Sequence, residues 1–238
     1  NLPRIGIKNG TSLNGKANLN GFFQELEEKL DLVKDQLLER FEMQCSKKVY
    51  NFPFLLGQAL WIDSEKLKET DNLKKVLKQG TMSIGFTGLA ECLKALTGKH
   101  HGESKEAQEL GLKIISFMRE KCDKYSEKYN LNFSLTATPS GNLSTDLIQM
   151  DQAIYGKIKN ITDKEIYTDS FQLPKGYKIS AEKKIEIEAP YHKLTNGGHI
   201  TEINLPEDAI LSDFMKILEV MKKNDIGCCT ISKMKVDN

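Results

Sequence analysis

The stretch that most constrains the fold is LNFSLTATPSGNLSTDLIQMD, residues 131–151. Leu131, Phe133 and Leu135 alternate with polar neighbours, as a half-buried strand requires. Pro139 and Gly141 break that pattern, and Leu143, Leu147 and Ile148 resume at helical spacing. A strand feeding a helix through so short a turn points several backbone N–H groups outward, where no intrahelical acceptor satisfies them. Their partial positive charge favours phosphate or carboxylate. An ordinary capped helix satisfies the same pattern, so residue types alone leave both readings open.

Helices and strands alternate along the rest of the chain. Residues 1–7 read as a short strand with Pro3 near its beginning, and 167–173 and 183–189 read as two more. HITEINL (199–205) and IGCCTIS (226–232) complete the strand set. Long amphipathic helices are predicted over Leu19 to about Cys45, with Asn20 as N-cap, and over about Ser104 to Tyr129. Shorter ones are expected at 64–77, 89–96 and from Asp208 to about Lys222. The apolar run FPFLLGQALW (52–61) is expected to be core. With no internal repeat and no disordered linker, residues 1–238 read as a single α/β unit.

Charge excludes some partners. The 34 basic residues nearly balance the 33 acidic ones, which argues against a nucleic-acid platform or a polybasic membrane patch. No apolar run approaches the roughly 20 residues needed to span a bilayer. The sequence starts at Asn1 without Met or a signal peptide, which suggests a piece cut from a longer cytoplasmic protein. Five cysteines without a CxxC pair suggest reduced thiols. Cys92 and Cys122 fall in helical apolar patterns, whereas the adjacent Cys228 and Cys229 must point to opposite sides of a strand, leaving a redox role open.

Other polar clusters have simpler readings. His100 and His101, followed by Glu103, lack the one-turn spacing of a helical metal pair, and a polar surface loop is expected. His192 and His199 flank TNGG (195–198), which reads as a hairpin turn. Glu182, Glu186 and Glu188 would share one solvated strand face. No three-glycine dinucleotide fingerprint and no G-x-S-x-G elbow occur.

Seven blocks together are more specific than their individual chemistry. NLPRIGI (1–7), NFPFLLGQALW (51–61), SIGFTGLAECLKALTGKHHGES (83–104), LNFSLTATPSGNLS (131–144), YTDSFQLP (167–174), IEAPYHKLTNGGHI (187–200) and IGCCTIS (226–232) resemble successive blocks of the anaerobic, class III ribonucleoside-triphosphate reductases. The resemblance implies an α/β fold: part of the ten-stranded barrel of the ribonucleotide reductase and glycyl-radical enzyme type. Residues 1–238 would be its later portion, after the finger-loop cysteine and before the glycyl-radical segment.

The same resemblance, and no feature of composition or spacing, implies an activity and its machinery. Such an oxidoreductase makes deoxyribonucleoside triphosphates by radical reduction of the ribose 2′-hydroxyl. A glycyl radical, installed by an S-adenosylmethionine iron–sulfur activase, oxidises the finger-loop cysteine to a thiyl. Zinc supports the C-terminal radical loop. The complete enzyme is expected to be a homodimer that binds nucleoside triphosphates. Within this chain, Thr138, Pro139, Ser140, Gly141, Asn142, Leu143 and Ser144 match the family's phosphate-binding turn. Asn1 matches an asparagine near the substrate ribose.

This segment is expected to provide no catalytic residue, metal ligand or bound cofactor of its own, and alone to be inactive. Gly141 stands where relatives usually have glutamate, Gln172 where they have histidine and Glu202 where tyrosine is common. CCTISKMKVD also replaces a family stretch resembling YGSINHPVDR. These departures keep open a non-catalytic nucleotide-binding remnant or interaction module.

Overall fold

LPRIGI alternates like a strand, yet Leu2–Asn9 form helix α1. The Asn1 side chain caps it by accepting the Arg4 N–H at 3.2 Å, and Pro3 sits in the first turn, where a missing N–H costs nothing. The computed structural model describes residues 1–11, 15–137, 139 and 141–234. After α1 come α2 (Leu19–Cys45), short 3₁₀ turns at Val49–Asn51 and Ser64–Lys66, α3 (Lys74–Leu77), β1 (Thr81–Gly85), α4 (Leu89–Thr97) and α5 (Lys105–Tyr129). Beyond α5 lie β2 (Asn132–Ala137), α6 (Asn142–Tyr155), α7 (Ala181–His192), β3 (Gly198–His199), β4 (Thr201–Pro206), α8 (Leu211–Lys223) and β5 (Cys229–Met234).

The chain forms two compact units. One comprises Asn1–Leu26, Gly85–Arg119 and Leu135–Asn238; the other comprises Glu27–Ile84 and Glu120–Ser134. In the first, α1 packs on α4 at backbone distance: a Cβ on Gly6 would lie 3.0 Å from the Cys92 carbonyl oxygen. β3 pairs parallel with the end of β2. β4, α8 and β5 make a βαβ unit whose parallel strands pair in register from Thr201↔Cys229. Ile203 and Leu205 from β4, Ile217 and Met221 from α8, and Ile185 and Ala189 from α7 bury its core.

In the second unit, Val49, Leu56, Leu73 and Val76 form a small core, closed by Trp61, whose indole N–H donates to the Val76 carbonyl at 3.1 Å. Here the expectation for 52–61 fails. Leu56 is buried, but Phe54 is 68% and Leu60 58% exposed, because tight turns over this stretch expose most of its side chains.

Other local readings are corrected for equally local reasons. Residues 183–189 lie inside α7, not a strand. Ser180 caps this helix by accepting the Lys183 N–H, and the buried positions Ile185, Glu188, Ala189 and His192 follow helical spacing. The three glutamates therefore share no strand face, and Glu188 is fully buried. Residues 167–173 hold one isolated bridge, Thr87↔Asp169, because their carbonyls accept from the start of α4: Gly88 N–H to Thr168 and Leu89 N–H to Ser170.

TNGG is not a hairpin; Gly197 N–H donates to the Leu135 carbonyl, and the chain enters β3 alongside β2. Asn18, not Asn20, caps α2 by accepting the Gly21 N–H at 2.9 Å. The α2 span and the strand reading for 199–205 agree with the structure, the latter split into β3 and β4, whereas the strand read at 226–232 begins only at Cys229 and runs to Met234. Among the described residues, no helix is long and apolar enough to cross a membrane.

Candidate functional site

The strand–turn–helix reading of 131–151 corresponds to β2 and α6. Gly141 is the N-cap of α6, with φ +55° and ψ −133°, a conformation that strains any residue bearing a Cβ. Having no side chain, it leaves the first N–H groups of the helix without a side-chain cap. Pro139, Gly141, Asn142 and Leu143 are exposed, so this end of the helix faces solvent. Thr138 and Ser140 lie outside the described residues. Ser144 is buried, and its hydroxyl turns inward, donating to Asp169 Oδ1 at 3.3 Å and lying 3.5 Å from Thr87 Oγ1.

Farther along α6, Asp151 anchors the helix. Its carboxylate is fully buried and accepts from Asn1 Nδ2 at 2.8 Å, Arg4 Nε at 2.5 Å and Tyr167 Oη at 2.8 Å. Burial, reinforced by the Asp151 charge, pushes the Tyr167 phenol far above its ordinary pKa, so it remains a donor. Asn1, the sequence-predicted ribose contact, is thereby tied at both ends: Oδ1 to α1 and Nδ2 to α6. One amide hydrogen remains for another partner. Arg4 Nη2 is buried beside this cluster without a hydrogen-bond partner.

A second buried carboxylate, Glu91 on α4, accepts from Lys164 Nζ at 3.0 Å and from the Thr168 hydroxyl at 2.7 Å, fastening the 164–168 segment. Sequence reasoning missed both Asp151 and Glu91. Their only signal was a carboxylate on the apolar face of a helical pattern.

The histidines are not on a surface loop. His100 is 3% and His101 2% exposed. His101 donates through Nε2 to the Phe171 carbonyl at 2.7 Å, and burial lowers its pKa to about 3. His192 Nε2 lies 2.7 Å from Thr201 Oγ1; burial, then the neighbouring His199, lowers its pKa to about 4. Glu188 departs the other way: burial outweighs Lys184 and raises its pKa.

Cys45, Cys92 and Cys122 are buried, Cys228 is exposed, and Cys229 is half-buried against the Met221 sulfur. Among the described residues, no group of three or more His, Cys, Asp or Glu side chains is placed to hold a metal ion.

Comparison with known proteins identifies the family. The family model for anaerobic ribonucleoside-triphosphate reductase matches residues 1–236. The chain belongs to that family. The Salmonella typhimurium anaerobic ribonucleoside-triphosphate reductase is 32% identical over 203 residues, 84% of this chain and 27% of the relative. The reductase of Enterobacteria phage T4 is 31% identical over 211 residues, 87% of this chain and 32% of the relative. The chain thus spans about a third or less of these relatives' length.

Among solved structures, the Thermotoga maritima anaerobic ribonucleotide reductase in complex with dATP and CTP superposes with a TM-score of 0.70. It covers 97% of this chain and 35% of its own, at 19% identity. A further anaerobic ribonucleotide reductase gives the same score over 98% of this chain. The fold is that of these reductases: mixed α/β with parallel strand pairing, part of an α/β barrel.

Proposed function

We propose that residues 1–238 are the later portion of the catalytic barrel of an anaerobic ribonucleoside-triphosphate reductase and hold the phosphates of its substrate. The uncapped, exposed start of α6 behind Gly141 supports the reading most, because it offers backbone N–H groups at the turn that the block resemblance reads as phosphate-binding. The N–H groups of Asn142 and Leu143, with the helix dipole behind them, attract a polyanion. Asp151 joins α6 to Asn1 and Arg4 of α1, so phosphate and ribose contacts are fixed relative to each other. That geometry contributes orientation rather than bond breaking.

In the complete enzyme the glycyl radical, installed by its iron–sulfur activase, supplies the hydrogen-abstraction chemistry from segments outside this chain. The residues here do not fit the family's zinc site: three cysteines are buried singly, and the other two are adjacent. On this reading the partners are nucleoside triphosphate, the activase, the remaining polypeptide and a second subunit, in the cytoplasm.

Calorimetric titration with nucleoside triphosphates and with the parent nucleosides tests the phosphate contact. Triphosphates should bind at least tenfold more tightly. Leu143→Asp, which places a carboxylate beside the N–H groups on an exposed position, should remove about that factor. Equal affinity for nucleoside and triphosphate would reject the reading. Sequencing the source reading frame through both ends tests the rest. A finger cysteine upstream and a glycyl-radical segment downstream are expected; their absence would leave a nucleotide-binding remnant.

A further inference from the structure

A cavity of about 220 Å³ bordered by α4, the loop after it and residues 160–177 has no part in the substrate reading. It is lined by Lys94, Lys164 and Lys175, by His100, and by the carboxylates of Glu91 and Glu103. Both carboxylates are already engaged. Glu103 accepts from Lys94 Nζ at 2.9 Å and from the His100 backbone N–H at 2.8 Å, and Glu91 is held by Lys164 and Thr168. Lys175 is exposed and pairs with no carboxylate among the described residues. Three ammonium groups against two carboxylates leave one net positive charge.

His100 adds a donor to the lining. Its ring is 3% exposed, held edge-on by Tyr177 with ring centres 4.6 Å apart. Gly102 N–H donates to Nδ1 at 3.0 Å, so the neutral ring bears its hydrogen on Nε2. Glu103 Oε1 is 3.7 Å from that nitrogen, outside hydrogen-bonding range. Burial outweighs the Glu103 charge and, with Lys94 and Lys164, lowers the His100 pKa to about 4, keeping the ring neutral near pH 7. With no protein acceptor within hydrogen-bonding range among the described residues, the Nε2–H is left to donate to an oxyanion in the cavity that His100 lines.

We propose that this cavity binds a phosphoryl group, either inorganic phosphate or the phosphate of a small ester. Arginine is absent from the lining, so there is no planar fork for bidentate carboxylate recognition; lysines act as compact point charges suited to a tetrahedral dianion. The volume of about 220 Å³ leaves room for a phosphate and a small substituent. The site shares no residue with the 138–144 turn and does not depend on its role.

Calorimetric titration of the 238-residue chain with inorganic phosphate, methyl phosphate and acetate tests the proposal on wild type, Lys175→Glu and Leu143→Asp. Lys175→Glu, an exposed replacement checked by its melting curve, should weaken phosphate binding at least tenfold. Leu143→Asp should leave one phosphate site intact, and acetate should bind at least tenfold more weakly. Tighter binding of methyl phosphate would identify an ester as the ligand; tighter binding of inorganic phosphate would identify the free ion. The proposal is overturned if wild type binds no phosphate at millimolar concentration, if Lys175→Glu binds like wild type, or if acetate binds as well. Loss of all binding in Leu143→Asp alone would also overturn it, while supporting the α6 turn.

Discussion

Replacing Asp151 by alanine tests the claim that one buried carboxylate fixes α6 to α1. The substitution strips three donors of their acceptor at once. Tyr167 is fully buried, and orphaning its hydroxyl costs about 1–3 kcal/mol. Breaking a fully buried ion pair costs about 3–5 kcal/mol, but the Arg4 side chain is 35% exposed and partly resolvates, so about 2 kcal/mol is appropriate. Asn1 is half-buried and adds a few tenths of a kcal/mol. The expected loss is about 4 kcal/mol, a large share of the roughly 5–15 kcal/mol that stabilises a domain.

Urea unfolding followed by far-ultraviolet circular dichroism measures it. Tyr167→Phe alone should cost about 1 kcal/mol. Combined with Asp151→Ala it should cost about 1–2 kcal/mol less than the two singles together, because phenylalanine leaves no hydroxyl to orphan. A loss below about 1 kcal/mol in Asp151→Ala, or strict additivity in the double variant, would refute the network as described.

Stability should also depend on acid. His101 and His192 have folded pKa values of about 3 and about 4, below the unfolded 6.5, so between these limits the unfolded chain binds protons that the folded chain does not. Their contribution is present above pH 6.5 and lost as pH falls toward 4, by up to about 1.4 kcal/mol per pH unit for each ring. Glu188, raised by burial, works in the opposite sense, and His101→Gln should flatten the melting-temperature profile; an unchanged profile would contradict the assignment. Gly6→Val should cost about 2 kcal/mol in thermal or urea unfolding by forcing α1 from the Cys92 backbone, whereas a neutral result would mean the helices can separate freely. A thiol reagent should modify Cys228 first and leave Cys45, Cys92 and Cys122 protected until unfolding, and rapid loss of all five thiols would show that the described burial is wrong.

The sequence by itself determined the features governed by strong local periodicity. The 3–4 spacing of Phe23, Leu26, Leu30, Val33, Leu37 and Phe41 gave α2, although it is Phe22 rather than Phe23 that the fold buries, and the break at Pro139 and Gly141 gave β2, the turn and α6. Ordered block resemblance also carried the family, which no single residue could. Tertiary structure decided wherever a short pattern fitted two elements. LPRIGI and KKIEIEA alternate like strands, but an N-cap at Asn1 or Ser180 and a helix to pack against made them α1 and α7.

It also decided which polar residues would be buried, since a carboxylate or imidazole tolerates burial only when distant partners satisfy it. Asp151 is 150 positions from Asn1, and His101 is 70 from the Phe171 carbonyl. Spacing along the chain holds no information about such partners; only the folded arrangement brings them together.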